Sequence, residues 1–582
     1  MTKPIIFTLS LLLSTTYGAL NTEELRQQAA DVTAQAYPDA DTVLLNDITY
    51  VTYQPDGISQ THTDTAIKIL TERGKRNNRT LSLSFNISYG TNYFTHVERI
   101  SPEGEIIPID IASNSRLMVN PSQMNANIYN PNSKILQLSI PGLQIGDILR
   151  YATHDQVTKT VVPNTWSDYQ VFEADIPILK ATYHVNAPAE QPLNNILLKD
   201  EIPGTITHTE TQSEDRILYT WNIKNVPQYF AEPSMPTPYT VTQRLLISTI
   251  ESWEELSRWY WNLCLPRMEC TTPAMETKAR ELAAGKSTQE IIEALFTFVS
   301  QEIRYMGITT EEEAPGYEPH DVSITFENRY GVCRDKAALL ASMLRIAGVD
   351  AFPVIIMAGP KKDDEVPQPF FNHAVTAALN DTGDYVLMDP TDENTKDIFP
   401  AYLQNMSYLV ARPEGETLKT SPIIPAAQNR VLINTQAQLD AQGQLSAHTT
   451  IDFQGINDTI YRAHFSQLKP EERRQFFEGH LRSASASATL DSITFHPAEL
   501  RDTTQPLRVE LHYQACDLLT RNSNPRLLKL PHLGNSIGYA NFLLDETGLV
   551  ERRFPLYTRI TAGIQETYQL EIDSTLGIPR IP

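Results

Sequence analysis

The residue of this 582-residue chain with the clearest chemical potential is Cys333, in the segment 328–336 (NRYGVCRDK). Apolar residues spaced three and four apart follow from Leu340 to Ala347, and Gly348 comes after them, a pattern that predicts a helix beginning at or near the cysteine. The partial positive charge at a helix N-terminus lowers the pKa of a thiol, and the thiolate is the nucleophilic form. The segment therefore predicts an activated cysteine with backbone N–H groups available to an oxyanion.

A cysteine nucleophile needs a general base and a group that orients the base, and two strand-like segments offer both. His373 opens one apolar strand, Asp389 closes the next, and the turn 380–384 joins them. A hairpin of this kind brings the two side chains together, so we expect a Cys-His-Asp triad of Cys333, His373 and Asp389. Asp392, three residues further on, is the alternative orienting acid.

Each of these residues also has a plainer interpretation. Cys333 could be a small buried apolar residue, and His373 could be a hydrogen-bonded core histidine. A zinc site would use the same residue types, but no paired C-x-x-C or H-x-x-x-H spacing supports one, and we expect no metal and no cofactor. His320 is interpreted as a structural or cleft-lining residue.

The elements around these residues predict several domains, as the chain length also requires. Alternating apolar residues predict an N-terminal β-rich domain over 38–227, and a proline-rich linker follows over 228–240. A mixed domain over 241–412 holds the three residues. Alternation then resumes in a C-terminal β domain over 430–582, with a helical insert at about 458–481.

The order of a cysteine opening a helix, a strand histidine and a strand aspartate resembles the transglutaminase-like superfamily. The likeness is closest to an exported bacterial subgroup in which a β-rich domain of unknown function precedes the core and a further β domain follows it. Segments in the style of that subgroup are 67–70, 141–147, 303–307, 316–320, 328–331 and 389–392. The resemblance implies a multidomain α+β protein, with a papain-like transglutaminase core flanked by two all-β sandwich-type domains.

The chain departs from the subgroup beside the nucleophile, where Val332 stands in place of the usual aspartate. Less negative charge near the thiol favours the thiolate, so we expect Val332 to affect substrate preference more than catalytic competence. Animal transglutaminases use a tryptophan as second oxyanion donor, but no Trp follows Trp261. Tyr305 or Gln301 is expected to take that role.

The N-terminus predicts export. Residues 1–19 combine Lys3, an apolar stretch over 5–13 and small residues near a cleavage point, which is typical of a secretory signal peptide. The mature protein would begin near Leu20 and be periplasmic or secreted. The alternative is a membrane anchor, but the stretch is about half the ~20 residues that span a bilayer. We expect no membrane span after signal removal.

Charge and cysteine content narrow the partners. The formal charge is −23 and no run of Lys and Arg forms a basic patch, so nucleic acid is not expected as a partner. Four cysteines are too few for a disulfide scaffold. An oxidising compartment would let Cys264 and Cys270 form a bridge, and the alternative is two separate thiols.

Two functions fit these observations. The first is an exported cysteine enzyme that acts on peptide or glutamine amides through a thioester and passes the acyl group to an amine or to water. The second is a non-catalytic cell-envelope binding or assembly protein that uses the same fold as a scaffold. Either would have a protein or peptide partner. Neither predicts an oligomeric state.

Overall fold

The computed structural model describes residues 20–307, 316–516, 518–519, 527–544 and 547–577. The predicted signal peptide at 1–19 lies outside the described residues. The first part of the chain is mainly strands, whose alternating burial gives each one an inner and an outer face. Its elements are α1 (Thr22–Ala30), β1 (Thr42–Tyr53), β2 (Ser59–Ile69), α2 (Glu72–Asn77), β3 (Thr80–Asn86), β4 (Gly90–Ile100), β5 (Ile106–Pro108), α3 (Ile111–Asn114), β6 (Ser115–Val119), β7 (Ser133–Ser139), β8 (Ile148–Val157), β9 (Ser167–Val171), β10 (Ile178–Pro188), β11 (Asn195–Lys199), β12 (Ile206–Gln212), β13 (Arg216–Val226) and β14 (Arg244–Ser248).

One large sheet organises this part, with the strand order β12-β13-β10-β1-β2-β8-β4-β5. Two three-stranded sheets, β11-β14-β9 and β3-β7-β6, pack on one of its faces, where β2 contributes Ile67 and Ile69. The next position on the same strand, Ala66, points to the opposite face and packs with Leu25 of α1. The predicted sandwich is therefore one large sheet covered by two small ones.

The central part combines helices with an antiparallel sheet. Its elements are α4 (Trp253–Met268), α5 (Pro273–Ala283), α6 (Thr288–Glu302), β15 (Arg304–Tyr305), α7 (Val322–Asn328), β16 (Tyr330–Gly331), α8 (Cys333–Ile346), β17 (Ala351–Ile356), β18 (His373–Leu379), β19 (Tyr385–Met388), β20 (Ser407–Val410) and β21 (Lys419–Thr420). The sheet order is β19-β18-β17-β20-β21, and α8 packs across β17 and β18. A single apolar core joins α4, α6, α8 and this sheet. A capping box at Ser287 starts α6.

The last part is a five-stranded sheet of order β24-β25-β23-β22-β26, covered by two helices. Its elements are β22 (Arg430–Leu439), β23 (Leu445–Phe453), α9 (Ile456–Gln467), α10 (Pro470–Ala484), β24 (Thr489–His496), β25 (Arg508–Ala515), α11 (Ala540–Leu544) and β26 (Gly563–Ile572). The helical insert supplies the second layer, because Phe465, Phe477 and Leu481 pack on the buried face of the sheet.

The structure differs from the sequence expectation in two places. Strand β14 follows the proline-rich segment 228–240 but pairs with β9 and β11, so the N-terminal sheets continue past the expected linker. The possible disulfide between Cys264 and Cys270 does not form, and none of the four cysteines, all of which lie in the described residues, is in a disulfide. Cys264 is buried inside α4, while Cys270 is exposed beyond its end and its thiol donates to the Pro266 carbonyl at 3.2 Å.

Candidate active site

Cys333 is the first residue of α8, is half-buried and lines a cleft. The helix that carries it is held in place, since every residue from Asp335 to Leu344 is buried. Thr376 of β18 donates a hydrogen bond of 3.0 Å to the Ala337 carbonyl and ties helix and sheet together. The sulfur is therefore held rigidly at a helix N-terminus.

His373 opens β18 beside that sulfur. Its Nε2 lies 2.9 Å from Oδ2 of Asp389, the residue that directly follows β19. The register of the β18–β19 hairpin pairs Thr376 with Met388, which sets the two side chains at one end of the sheet. The Cys333 thiol interacts with the same imidazole. The structure thus brings the cysteine, histidine and aspartate together in the predicted order.

The Asp389 carboxylate is buried and fully surrounded by donors. Besides His373, it accepts hydrogen bonds from the Tyr402 hydroxyl at 2.8 Å, and from the N–H and hydroxyl of Thr391 at 3.1 and 2.7 Å. Asp392, the alternative acid, accepts instead from Asn394 in its own turn. Asp389 is therefore the acid that faces the imidazole.

The charges in this group support one another. Burial opposes ionisation of all three residues, but the Asp389 carboxylate and the Cys333 sulfur raise the pKa of His373 well above its usual value. The pKa of Cys333 is lowered because the His373 hydrogen bond and charge, the Ala374 N–H and the Arg334 charge outweigh burial. The pKa of Asp389 is lowered by His373, Thr391 and Tyr402 against burial. The arrangement favours a thiolate paired with an imidazolium.

Asp335 holds the start of α8 in place. One of its oxygens accepts a hydrogen bond of 2.9 Å from the Val332 N–H, and the other lies 3.0 Å from both the N–H and Nδ1 of His320. This carboxylate is buried, and the pKa of Asp335 is lowered by His320 and Arg334 against burial. His320 therefore acts on the position of the nucleophile through Asp335.

The two expected oxyanion donors have different surroundings. The Tyr305 hydroxyl interacts with the Cys333 sulfur and backbone N–H, and its pKa is raised by burial and by that sulfur. Gln301 points away, because its side-chain amide donates to Thr503 at 2.8 Å and to the Arg501 carbonyl at 3.3 Å in the C-terminal part. The expectation for Gln301 is wrong: its position on α6 directs the side chain toward the C-terminal domain.

A cleft of about 330 Å³ lies over the thiol, and the N-terminal domain forms one of its walls. The Tyr129 N–H donates to the Gly307 carbonyl at 2.7 Å and the Gly307 N–H to the Asn127 carbonyl at 3.0 Å. A Cβ on Gly307 would lie 2.7 Å from Val332, which explains the glycine at this contact. The lining residues are Ile128, Asn130, Tyr260, Gly307, Gly316, Tyr317, Val332, Cys333, Arg334, Phe371, Asn372, His373 and Ala374.

Sequence reasoning missed several of these partners. Tyr402 lies in a short turn 13 residues after Asp389, where no periodic pattern marks it. Ile128 comes from another domain, some 200 residues before the nucleophile, and only the folded chain brings it there. Tyr317 lies in the segment 316–320 and carries no separate sequence signal, yet its hydroxyl bonds the 369–371 backbone leading to His373.

A metal-binding cluster and a membrane-spanning helix were both sought in the part of the chain that the structure describes. Within it, no three His, Cys, Asp or Glu side chains are grouped so as to hold a metal ion. Among the same residues, no helix is both long and apolar enough to cross a bilayer.

Known proteins resemble this chain in two segments and in fold. The family profile of DUF3857, a domain of unknown function with a solved structure, matches residues 55–230, and that of the transglutaminase-like superfamily matches 276–390. The crystal structure of "a putative protease" from Parabacteroides distasonis is 14% identical with a TM-score of 0.56, over 82% of this chain and 94% of that one. This likeness shows a shared fold.

Other solved structures are less similar. "A putative cysteine protease" from Cytophaga hutchinsonii is 13% identical with a TM-score of 0.15, over 57% of this chain and 75% of that one. An M1 zinc metallopeptidase from Deinococcus radiodurans is 11% identical with a TM-score of 0.20, over 36% and 42%. No curated protein matches the chain. The two profiles therefore identify a transglutaminase-like core at residues 276–390, which follows a DUF3857 domain at residues 55–230.

Proposed function

We propose that the protein is an exported cysteine enzyme that acts on peptide or glutamine side-chain amides through a thioester on Cys333. The observation that carries this proposal is the position of the His373 imidazole, which bonds Asp389 at 2.9 Å, lines the cleft with Cys333 and lowers the pKa of its thiol. A buried structural cysteine would need neither a raised histidine pKa nor an aspartate with three further hydrogen bonds. The match of residues 276–390 to the transglutaminase-like superfamily supports the same reaction class.

The proposed reaction has two halves. The Cys333 thiolate adds to the amide carbonyl carbon, and the oxyanion is stabilised by the N–H groups at the start of α8 and the Tyr305 hydroxyl. The C–N bond then breaks, the His373 imidazolium gives its proton to the leaving amine, and a thioester remains. Water or a second amine attacks the thioester while His373 accepts its proton, which releases an acid or a new amide and restores the thiolate.

Export is proposed together with this chemistry. Its support is the composition of residues 1–19 and the position of Leu20, whose backbone nitrogen lies 3.0 Å from the Asp64 carboxylate. A mature chain that starts at Leu20 would place a positively charged α-amino group on that acid. Arg150 donates to both oxygens of the same carboxylate, at 3.0 Å to Oδ1 and at 2.8 Å to Oδ2.

An ester that reports each turnover tests the enzymatic proposal. With p-nitrophenyl acetate, the wild type is expected to release about one equivalent of nitrophenolate rapidly and to carry the acetyl group on Cys333, as read by peptide mass spectrometry. Added methylamine should divert the acyl group to N-methylacetamide if amine transfer is supported. Cys333→Ala should abolish the burst, and Cys270→Ala, which removes an exposed thiol outside the cleft, should retain it.

The scaffold alternative predicts the opposite outcome. A thiol without catalytic duty would be acetylated no faster than Cys270, and Cys333→Ala would then leave nitrophenolate release unchanged. Either result would overturn the proposed function.

A further inference from the structure

We propose that Arg334 forms an anion subsite beside the nucleophile, so that the acyl donor carries a carboxylate next to the amide that Cys333 attacks. The inference rests on the proposed function and names the substrate class, an acidic peptide or a peptide with a free carboxylate near the scissile bond. Arg334 is the second residue of α8 and lines the cleft together with Cys333 and His373. About 15% of its side chain is exposed.

The guanidinium of Arg334 makes few hydrogen bonds for a charged group that is mostly buried. In the part of the chain that the structure describes, its hydrogen bond is from Nη1 to the Gly316 carbonyl, and the buried Nε has no partner. An unpaired charged group in a partly closed site is costly, and a ligand that supplies acceptors would recover that cost.

The neighbouring Asp335 carboxylate interacts with this charge but does not hydrogen-bond the guanidinium. Asp335 lies 4.0 Å from Nε, a distance at the outer limit of an ion pair, and both of its oxygens already accept hydrogen bonds from Val332 and His320. Within the described residues no other ion pair involves Arg334. The positive charge is therefore available to a group that enters the cleft.

The walls around Arg334 strengthen its preference for an anion. Ile128, Val332 and Phe371 line the cleft with apolar surface, which lowers the local dielectric and strengthens a charge pair formed there. Arginine binds a carboxylate through two parallel N–H groups, a geometry that a neutral amide cannot match. Because Arg334 adjoins Cys333 in sequence, the bound carboxylate would lie close to the reacting carbonyl.

Two small alkylating agents separate charge recognition from thiol reactivity. Iodoacetate and iodoacetamide have nearly the same shape and both consume the thiolate, so the ratio of their rates at Cys333 does not depend on its pKa. The rates are read by peptide mass spectrometry on the full chain. Residues 308–315, which include three glutamates, lie outside the described residues, and the experiment measures the charge at the thiol with them in place.

Arg334→Gln is expected to lower the iodoacetate-to-iodoacetamide ratio by at least about fivefold, the factor for one unit charge at about 4 Å in water. Arg334→Lys, which keeps the charge, should restore most of the ratio. Arg280→Gln is the matched control, because Arg280 is an exposed residue of α5 and should leave the ratio unchanged.

An equal ratio in wild type and Arg334→Gln would overturn the proposal, as would a lysine variant that behaves like the glutamine variant. In the latter case Arg334 would act by holding the Gly316 turn. Failure of the proposed function is a separate result, since it would show as a Cys333 that both reagents label no faster than free cysteine.

Discussion

Asp335→Asn is the substitution whose effect the structure defines most closely. The carboxylate uses one oxygen for the Val332 N–H and the other for two donors of His320, and it is buried. Asparagine keeps one oxygen and replaces the other by an NH2 group. Whichever way the amide turns, a buried N–H donor then faces another donor.

The cost can be worked out from these contacts. One buried donor left without an acceptor costs about 1 to 3 kcal/mol, and the lost negative charge at the N-terminus of α8 costs about 0.3 to 1 kcal/mol more. The free energy of unfolding of this domain should therefore fall by roughly 1 to 4 kcal/mol. Alkylation of Cys264 measures it, because that thiol is buried in the domain core and reacts when the domain opens.

The urea concentration at which half of Cys264 is labelled should be about 1 M lower in Asp335→Asn than in wild type, because the free energy of unfolding falls by roughly 1 to 3 kcal/mol per M of urea. Asp392→Asn is the matched control. The Asp392 carboxylate accepts both of its hydrogen bonds on one oxygen, which asparagine retains, so the free energy of unfolding should fall by less than about 1 kcal/mol.

The pKa of Asp335 is lowered by folding, so its stabilisation is present above the unfolded value of about 3.9 and is lost as pH falls through the folded value. The difference between wild type and Asp335→Asn should be constant near neutral pH and shrink in acid. Equal midpoints for Asp335→Asn and Asp392→Asn would refute this account of the helix start.

Three further outcomes are expected. Gly307→Ala should destabilise the central domain by about 1 to 3 kcal/mol, because the added Cβ would lie 2.7 Å from Val332. In the Cys264 assay, the same substitution in a Val332→Ala background should lose much less stability. Equal losses in both backgrounds would exclude this contact as the cause. Cys333→Ala should abolish acylation yet cost no more than about 1 kcal/mol, since the thiol is partly exposed; a larger shift of the Cys264 midpoint would mark Cys333 as a core residue. Amino-terminal sequencing of protein from the cell envelope should begin near Leu20, whereas a chain retaining Met1 would contradict export.

Local sequence patterns were sufficient for the cysteine, histidine and aspartate. Each of these residues begins or ends an element, and apolar periodicity marks where α8 and the β18–β19 hairpin begin and end. The capping pattern at Ser287 likewise depends on neighbours in sequence. Such features are fixed within one turn of helix or one hairpin, so they can be predicted without the tertiary structure.

The parts that could not be predicted depend on contacts between distant segments. Tyr402 bonds Asp389 from a turn without periodicity, and Ile128 reaches the cleft from the N-terminal domain. The wrong expectation for Gln301 has the same origin, because its partners at 501 and 503 lie in the C-terminal domain. Strand β14 could not be assigned to the N-terminal sheets, because a proline-rich segment precedes it and its pairing partners are more than 40 residues away.

The pH dependence of Cys333 alkylation by iodoacetamide tests the central claim most directly. The Cys333 pKa is lowered and the His373 pKa raised, so the wild-type rate should stay high as pH falls below the free-thiol value of about 8.5. In His373→Ala, burial without the imidazole should raise the thiol pKa to at least that value and reduce the alkylation rate at pH 7 by about 30-fold. The alkylation rate of exposed Cys516 in the same sample is the internal control and should be the same in both proteins. Superimposable pH profiles for wild type and His373→Ala would contradict a Cys333 nucleophile activated by His373.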